Sequence, residues 1–343
     1  MDPFDVGIVG QGLAGTLLSY ELMKRGKSVF VIDNGYHTSS SMVAAGIINP
    51  ITGKNFVLSW KFEALLPKVI ETYTNIEHIL EKKILYPKQI VRSIDSVQQE
   101  NLWLSRSSED YFKKYCDASN VSIEKLVAFR PKFSYAYINA GYRVNVSYLL
   151  TSWRDYLIDK RSYLQEEFDY HSLLLDNDVL VYKDKTFKAI SFCEGAAAIT
   201  NPYFDSIHFS LNEGVALTIK APSLGIDFLY KDDLFFVPLG NELYWVGGGY
   251  VKYHQMVESA DIDIIEKIKN ILKVDFEIID TSVALRPSTR NRRPLLRISK
   301  ESENLFQFNG LGTKGTSLGP FFADIMADAI IQRDFSKYFQ VLE

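Results

Sequence analysis

The sequence predicts an α/β protein in which a Rossmann-like dinucleotide-binding domain is joined to a second, α+β domain built on a mostly antiparallel sheet. Residues 5–33 read as a strand, a glycine-rich turn, a helix and a second strand, a βαβ unit of about 30 residues. The middle of the chain carries strand-like runs with too few helices between them for strand–helix alternation. A length of 343 residues leaves room for two domains, taking about 150 residues for each.

The opening run Asp5-Val6-Gly7-Ile8-Val9 is short and apolar, as in a strand buried within a parallel sheet. Gly10-Gln11-Gly12-Leu13-Ala14-Gly15 follows at once, a helical pattern covers 16–25, and Gly26 ends it. Ser28-Val29-Phe30-Val31-Ile32 makes the second strand, closing on Asp33. A small-residue segment, Ser39-Ser40-Ser41-Met42-Val43-Ala44-Ala45-Gly46, precedes a long helix over 60–83, broken near its first turns by Pro67. Residues 85–144 mix a strand at 89–93, a helix at 96–103 and a strand at 133–139, and 146–157 is a further helix. Strands are expected at 179–182, 187–192, 215–219, 234–237 and 243–246, with a strand-like run at 281–285. The chain closes with a strand at 305–308, a glycine-rich loop, and a helix from Pro320 to about Ile331. Internal repeats and low-complexity tracts are absent from the sequence.

Hydrophobic residues make up 47% of the chain and charged residues 23%, the balance of a soluble folded protein. Lysine plus arginine is 38 against 42 acidic residues, a net charge of −4, so nucleic acid is not an expected partner. No window reaches the roughly 18 unbroken apolar residues of a membrane span. Met1-Asp2-Pro3-Phe4-Asp5 lacks the basic start of a signal peptide, and Cys116 and Cys193 suggest neither a disulfide framework nor a zinc site. A cytoplasmic location is the expectation. His37, His78, His171, His208 and His254 have no metal-ligand spacing, and no Ser-His-Asp arrangement has local support.

The chemistry of the first unit is that of a phosphate cradle. Gly10 permits the tight turn, Gly12 lets backbone approach a pyrophosphate, and Gly15 lets helix and strand pack closely. The helix start offers unpaired N–H groups and a positive dipole end. Asp33, 18 residues after Gly15, can accept hydrogen bonds from a ribose diol. An ordinary structural βα turn is the alternative. Between NAD and FAD, the segment after Asp33 favours FAD: it gives a serine run and Ala44-Ala45-Gly46, small enough for backbone to lie against a flat ring. The stretch Asn309-Gly310-Leu311-Gly312-Thr313-Lys314-Gly315-Thr316-Ser317-Leu318-Gly319-Pro320 would put a second helix start at a ligand, suited to the negative charge on N1 and O2 of a reduced isoalloxazine. Taken alone, that stretch also reads as a surface loop.

With these motifs in order, the chain resembles the D-amino acid oxidase and glycine oxidase family of FAD-dependent oxidoreductases over nearly its whole length. Gly10 to Asp33 matches the cofactor fingerprint, and 41–47 is similar to the family's Ala-Ala-Gly segment. Gly141-Tyr142-Arg143-Val144-Asn145, the strand ending at Cys193-Glu194-Gly195-Ala196, the hairpin at 236–248, Ala284-Leu285-Arg286-Pro287 and the 309–320 loop each resemble a family segment in the same order. The resemblance implies FAD contacts at Gly10, Gly12, Leu13, Ala14, Gly15, Asp33, Asn34, Ser40, Ser41, Ala44, Ala45, Gly46, Ile47 and Gly195. It implies further contacts at Gly310, Leu311, Gly312, Thr313, Lys314, Gly315 and Thr316. Residues 309–320 hold no cysteine, so noncovalent FAD is expected. An FAD-binding domain of 1–75, 145–200 and 300–343 and a substrate domain of 76–144 and 201–299 follow.

On the substrate side the resemblance places a carboxylate partner at Arg286, whose guanidinium can give two parallel hydrogen bonds; a structural ion pair is the alternative. The family's tyrosine before the Val-Pro of the hairpin is Phe235 here, and Tyr230 is the nearby substitute. Asn291 replaces the usual aspartate after Arg-Pro, and the 310–315 loop lacks a histidine seen in many relatives, so an unmodified amino acid is not assured. Five arginines fall within 286–297, which reads as a solvated loop face, a second anion contact or a nucleic-acid contact. The leading expectation is oxidation of a C–N bond in a small amine or amino acid by hydride transfer to flavin N5, with no general base assigned. Oxygen is one acceptor the sequence allows. The alternatives are a flavin-dependent enzyme modifying wobble uridine in tRNA and a non-catalytic dinucleotide-binding protein.

Overall fold

In the computed structural model, which describes residues 3–35, 39–116, 123–176, 179–205, 209–248, 251–252 and 257–342, the chain forms two large sheets. The opening unit is as expected: β1 (Phe4–Val9), α1 (Leu13–Lys24) and β2 (Val29–Asp33), with β1 and β2 paired in parallel. The first sheet runs Leu295–Ile298, Leu305–Asn309, Lys185–Phe192, β1, β2, Tyr163–Gln165, with the hairpin of Leu173–Leu175 and Leu180–Tyr182 beside Lys185–Phe192. Its central pairings are parallel, and its strands are nearly continuous apolar runs because both faces are covered.

The second sheet is mostly antiparallel. Its path is Val251–Lys252, Ser210–Lys220, Leu243–Gly247, Phe235–Gly240, Leu229–Lys231, Leu85–Ile94, Ser134–Val144, Ile47–Ile48, and Glu277–Ser288 pairs along Ser210–Lys220. Among the described strands of this sheet, Leu229–Lys231 against Leu85–Ile94 is a parallel pairing. Two short strands cross the expected division: Leu295–Ile298 joins the first sheet and Ile47–Ile48 the second.

A large core joins the first sheet, α1, the helices Phe62–Leu80 and Gly315–Gln332, and one face of the second sheet. A separate core fills the other face of the second sheet under the helix Val257–Ile271. An ion cluster pins three helices together. Arg25 pairs with Glu21 at 2.5 Å, Asp324 at 2.8 Å and Asp328 at 2.9 Å, and Lys68 pairs with Glu21 and Asp324 at 2.8 Å each. Glu21 is fully buried there, so its charge depends on those two cations.

Two expectations are corrected. Pro67 does not break its helix: Phe62–Leu80 is continuous, because Pro67 sits in the second turn and Phe62, Leu65, Val69, Tyr73 and Ile76 bury a stripe across it. The last helix starts at Gly315, not Pro320. Its first turns look like loop by composition but pack as helix, with Leu318 and Gly319 buried and Gly319 held close to Leu17 of α1. Among the described residues no helix is long and apolar enough to cross a membrane.

Candidate cofactor and substrate site

The cradle is built by close approaches that only glycine allows. Gly10 has φ +97°, and a Cβ there would stand 2.6 Å from the Cys193 carbonyl oxygen. At Gly15 a Cβ would stand 1.9 Å from the Gly10 oxygen, so the turn, α1 and the end of Lys185–Phe192 are locked together. Gly12 differs. Its φ of −70° suits any residue, and a Cβ would meet only the Ser41 side chain, at 3.2 Å from Oγ and 3.9 Å from Cβ. Neither close packing nor backbone strain demands glycine at that position. The first turn of α1 holds no acidic residue and Gly12 supplies no side-chain cap, so the dipole end and the N–H groups that follow Leu13 are left for an anion.

Around this turn the structure gathers the other segments. Leu13 N–H donates to Ser41 Oγ at 3.1 Å, bringing the serine run onto the helix start. Asp33, at the end of β2, accepts from Gln11 N–H at 2.7 Å and Gly35 N–H at 2.8 Å, with Arg154 at 3.5 Å. Asn34 directly follows it. Gly46, at φ +75°, lies where a Cβ would stand 1.8 Å from the Val144 oxygen, so Ala44, Ala45 and Gly46 lie against the start of the helix Val146–Asp159, and Ile47 enters the second sheet beside Arg143. Thr316 Oγ1 donates to the Ile47 carbonyl at 3.2 Å, and Asn309 Nδ2 donates to the Gly195 carbonyl at 2.8 Å. The turn Gly312–Lys314 leads into the last helix, whose first turn again has neither acid nor side-chain cap. Gly315 and Gly319 pack on Leu13 and Leu17, so the two helix starts lie side by side. Lys314 Nζ donates to Ser59 Oγ at 3.3 Å, and burial together with Arg293 and Arg292 lowers its pKa. Ser40 lies in the same segment as Ser41, and Gly310, Leu311 and Thr313 in the same loop as Lys314.

Arg286 lies on Glu277–Ser288 opposite Asn212. A Cβ on Gly214 would fall 2.3 Å from the Arg286 Cζ, so the guanidinium occupies the space over that glycine. Two residues on, Ser288 bridges to Leu311, which ties the Arg286 strand to the 310–316 loop. On the same sheet face Trp245 donates from Nε1 to the Val43 carbonyl at 3.0 Å, and Phe235 packs on the core shared with α1. Arg286 therefore shares a face with the segments gathered at the cradle.

Tyr230 does not, and its assignment as a substrate-orienting residue is corrected. Successive strand residues point to opposite faces. Tyr230 is fully buried on the far face, its ring 3.8 Å from that of Phe129 and its hydroxyl 3.3 Å from Asp232 Oδ2. Lys231, the next residue, takes the near face; the alternation of Leu229-Tyr230-Lys231 carried that signal in the sequence.

Glu194 was also missed. It follows Cys193 at the cradle, accepts from Tyr170 at 2.5 Å and Asn201 at 2.8 Å, and burial raises its pKa to about 7 despite those hydrogen bonds. Both cysteines are free and burial pushes both thiols up, that of Cys116 to about 11. In the arginine-rich segment, Arg293 stacks over Trp60 at 3.8 Å and Arg297 donates to Gln307 at 2.8 Å, so these side chains are engaged within the fold. His37, His208 and His254 lie outside the described residues, and among the described residues no group of three metal-ligating side chains occurs.

The chain is similar to known proteins over nearly its whole length. The model of the FAD dependent oxidoreductase family, DAO, matches residues 5–329. An uncharacterized oxidoreductase, YurR, of Bacillus subtilis strain 168 is 24% identical over 96% of this chain and 97% of its own. Glycine oxidase from Bacillus cereus ATCC 14579 has a similar structure, with a TM-score of 0.79 at 17% identity over 98% of each chain. Iminodiacetate oxidase from Chelativorans sp. BNC1 gives a TM-score of 0.76 at 17% identity over 97% of this chain and 98% of its own. The chain belongs to the FAD-dependent oxidoreductase family DAO.

Proposed function

We propose that this member of the DAO family holds FAD noncovalently at the paired helix starts and oxidises a C–N bond of a small amine or amino acid in the cytoplasm. The observation that carries the reading is the Arg286 guanidinium over Gly214, on the sheet face that meets the cradle and two residues from the bridge to the 310–316 loop. Gly12 fits a pyrophosphate, since a Cβ there would touch only the Ser41 side chain and would stand in front of the N–H groups that follow Leu13. Asp33 and Asn34 stand where a ribose diol would be bound. Ser40, Ser41, Ala44 to Ile47, Gly195 and 310–316 flank the place of the ring, and with no cysteine in 309–320 nothing in that loop can form a thioether.

FAD, when bound, supplies a hydride acceptor at flavin N5. The chain's own residues bind and orient. Arg286 takes a carboxylate in a two-pronged grip and fixes the α-carbon in one pose. The start of the last helix, with no acid in its first turn, favours negative charge beside it. A neutral amine that loses its α-hydride becomes an iminium and needs no general base on the protein. The test is the absorption of the purified protein during anaerobic addition of small amines and amino acids. Flavin bands near about 370 and 450 nm, with the second bleached by one of the amines, are expected. A colourless protein that takes up no FAD, or a yellow one that no amine bleaches, overturns the proposal.

A further inference from the structure

We propose that the substrate carries a second anionic group, received by Lys231 and Arg92 at the far end of the face that Arg286 occupies. This deepens the reading above and rests on it, since it takes a carboxylate at Arg286 as given.

The register places these residues. Lys231 is opposite Phe235, Phe235 opposite Gly247, and Gly247 opposite Ala216, while Lys231 is also in register with Arg92. Residues so paired share a face, so Arg92, Lys231, Phe235, Gly247 and Ala216 form one cross-strand row. Val215 and Val283 belong to the opposite core, which puts Gly214 and Arg286 on the same face as that row. The face thus has a cation at each end, and between them the Trp245 ring lies over Gly247 beside the small side chain of Ala216. With strands about 4.8 Å apart, and Lys231 folded back over Phe235, the two charged ends lie on the order of 10 Å apart. That span suits a small molecule with an acid at each end and a few bonds between them.

At the far end the two cations bond to backbone carbonyls, with Asp233, Asp232 and Asp95 near but beyond ion-pair distance among the described residues. Lys231 Nζ donates to the Asp233 carbonyl at 2.8 Å and lies 4.8 Å from the Phe235 ring centroid. Arg92 Nη1 donates to the Gly53 carbonyl at 2.8 Å, and its Cζ lies 4.4 Å from the Phe56 ring centroid. Among the described residues neither forms an ion pair. The neighbouring acids are turned elsewhere: Asp95 and Asp232 each pair with Lys132 at 2.9 Å, and Asp233 is exposed. Burial and the adjacent Arg92 hold Lys231 down at about 8, against the smaller opposing pull of Asp233 and Asp232. Elsewhere the protein meets half-buried cations such as Arg25, Lys68 and Lys132 with carboxylates, whereas Lys314 at the cradle shares with Lys231 a pKa lowered by burial and nearby arginines.

The test uses the holoenzyme and redox-inert acids that perturb flavin absorption without reducing it. Propionate and butyrate report on Arg286 alone; succinate and glutarate engage both ends. Wild-type protein is expected to bind the better diacid at least tenfold more tightly than the matching monoacid. Lys231→Met should bring that ratio close to one, and Lys231→Arg should keep most of it. Equal binding of mono- and diacids by the wild type, which requires no variant to fold, overturns the proposal, as does a ratio that survives Lys231→Met. If monoacids bind and depend on Arg286 while diacids gain nothing, only this inference fails. If no acid perturbs the flavin, the reading of Arg286 falls and takes this one with it.

Discussion

Replacing Gly12 with alanine separates cofactor binding from folding. The backbone there, at φ −70° and ψ −168°, is one alanine adopts without strain. The new methyl would meet Ser41 Oγ at 3.2 Å, the end of a side chain that can turn. Alanine is a poorer N-cap than glycine, so the apoprotein should lose no more than about 1 kcal/mol. A bound pyrophosphate, in contrast, would be displaced by roughly the radius of a methyl group from the N–H groups of Ala14 and Gly15. Losing two charge-assisted hydrogen bonds at about 1.5–3 kcal/mol each predicts FAD affinity reduced by about 3 kcal/mol or more, above a hundredfold. The assays are thermal melting of the apoprotein and titration of FAD by quenching of its fluorescence. An apo melting temperature close to wild type with FAD affinity lost is the expected pair of results. A variant that binds FAD within about threefold of wild type would refute the placement of the pyrophosphate against Gly12. Gly15→Ala is the control: a Cβ 1.9 Å from the Gly10 oxygen should stop the unit from folding at all.

Other outcomes follow from the same geometry. Arg286→Lys keeps the charge but loses the two-pronged grip, so the substrate constant should rise by a few kcal/mol, about a hundredfold, with flavin content unchanged; unchanged flavin-reduction kinetics in a stopped-flow instrument would make Arg286 structural. Glu194 titrates in the folded chain near 7 against an ordinary 4.5, so the folded state holds a proton that the unfolded chain releases, and stability falls as pH rises through that window. The loss is about 3 kcal/mol in all, and Glu194→Gln should remove it, melting near wild type at about pH 5 and above it at about pH 8; parallel profiles would contradict the assignment. Arg25→Ala leaves the fully buried Glu21 with Lys68 alone and should cost about 3 kcal/mol in a urea titration, where a loss under about 1 would show the cluster to be dispensable.

The opening unit was legible in the sequence because three constraints coincide there: an apolar run, glycines at fixed spacing, and an acid ending the next strand. The antiparallel character of the middle was legible from the density of strand-like runs, but strand ends were not. Glu277–Ser288 extends well beyond 281–285 because pairing along Ser210–Lys220 holds exposed residues such as Ile278 and Ile279 in the strand, a long-range cause with no local mark. Pro320 was read as a helix start because proline favours first turns, yet packing of Leu318 and Gly319 on α1 carries the helix five residues further back. Tyr230 stands near the family tyrosine in sequence alone; the face a strand residue takes depends on register, which here is fixed by Phe235 and Arg92 on neighbouring strands. Glu194 looked like part of a family segment, and its raised pKa arises from burial beside Tyr170 and Asn201, which the fold brings together.

The central claim is that a substrate held at Arg286 passes the hydride of its α-carbon to a flavin bound in the glycine cradle. The measurement that reaches it most directly is anaerobic stopped-flow bleaching of the flavin by an active amine and by the same amine deuterated at the α-carbon. The account predicts one oxidised product per flavin bleached and a several-fold slower bleaching with deuterium. Bleaching at the same rate with either isotope, in a step that the Arg286→Lys variant leaves equally fast, would contradict it.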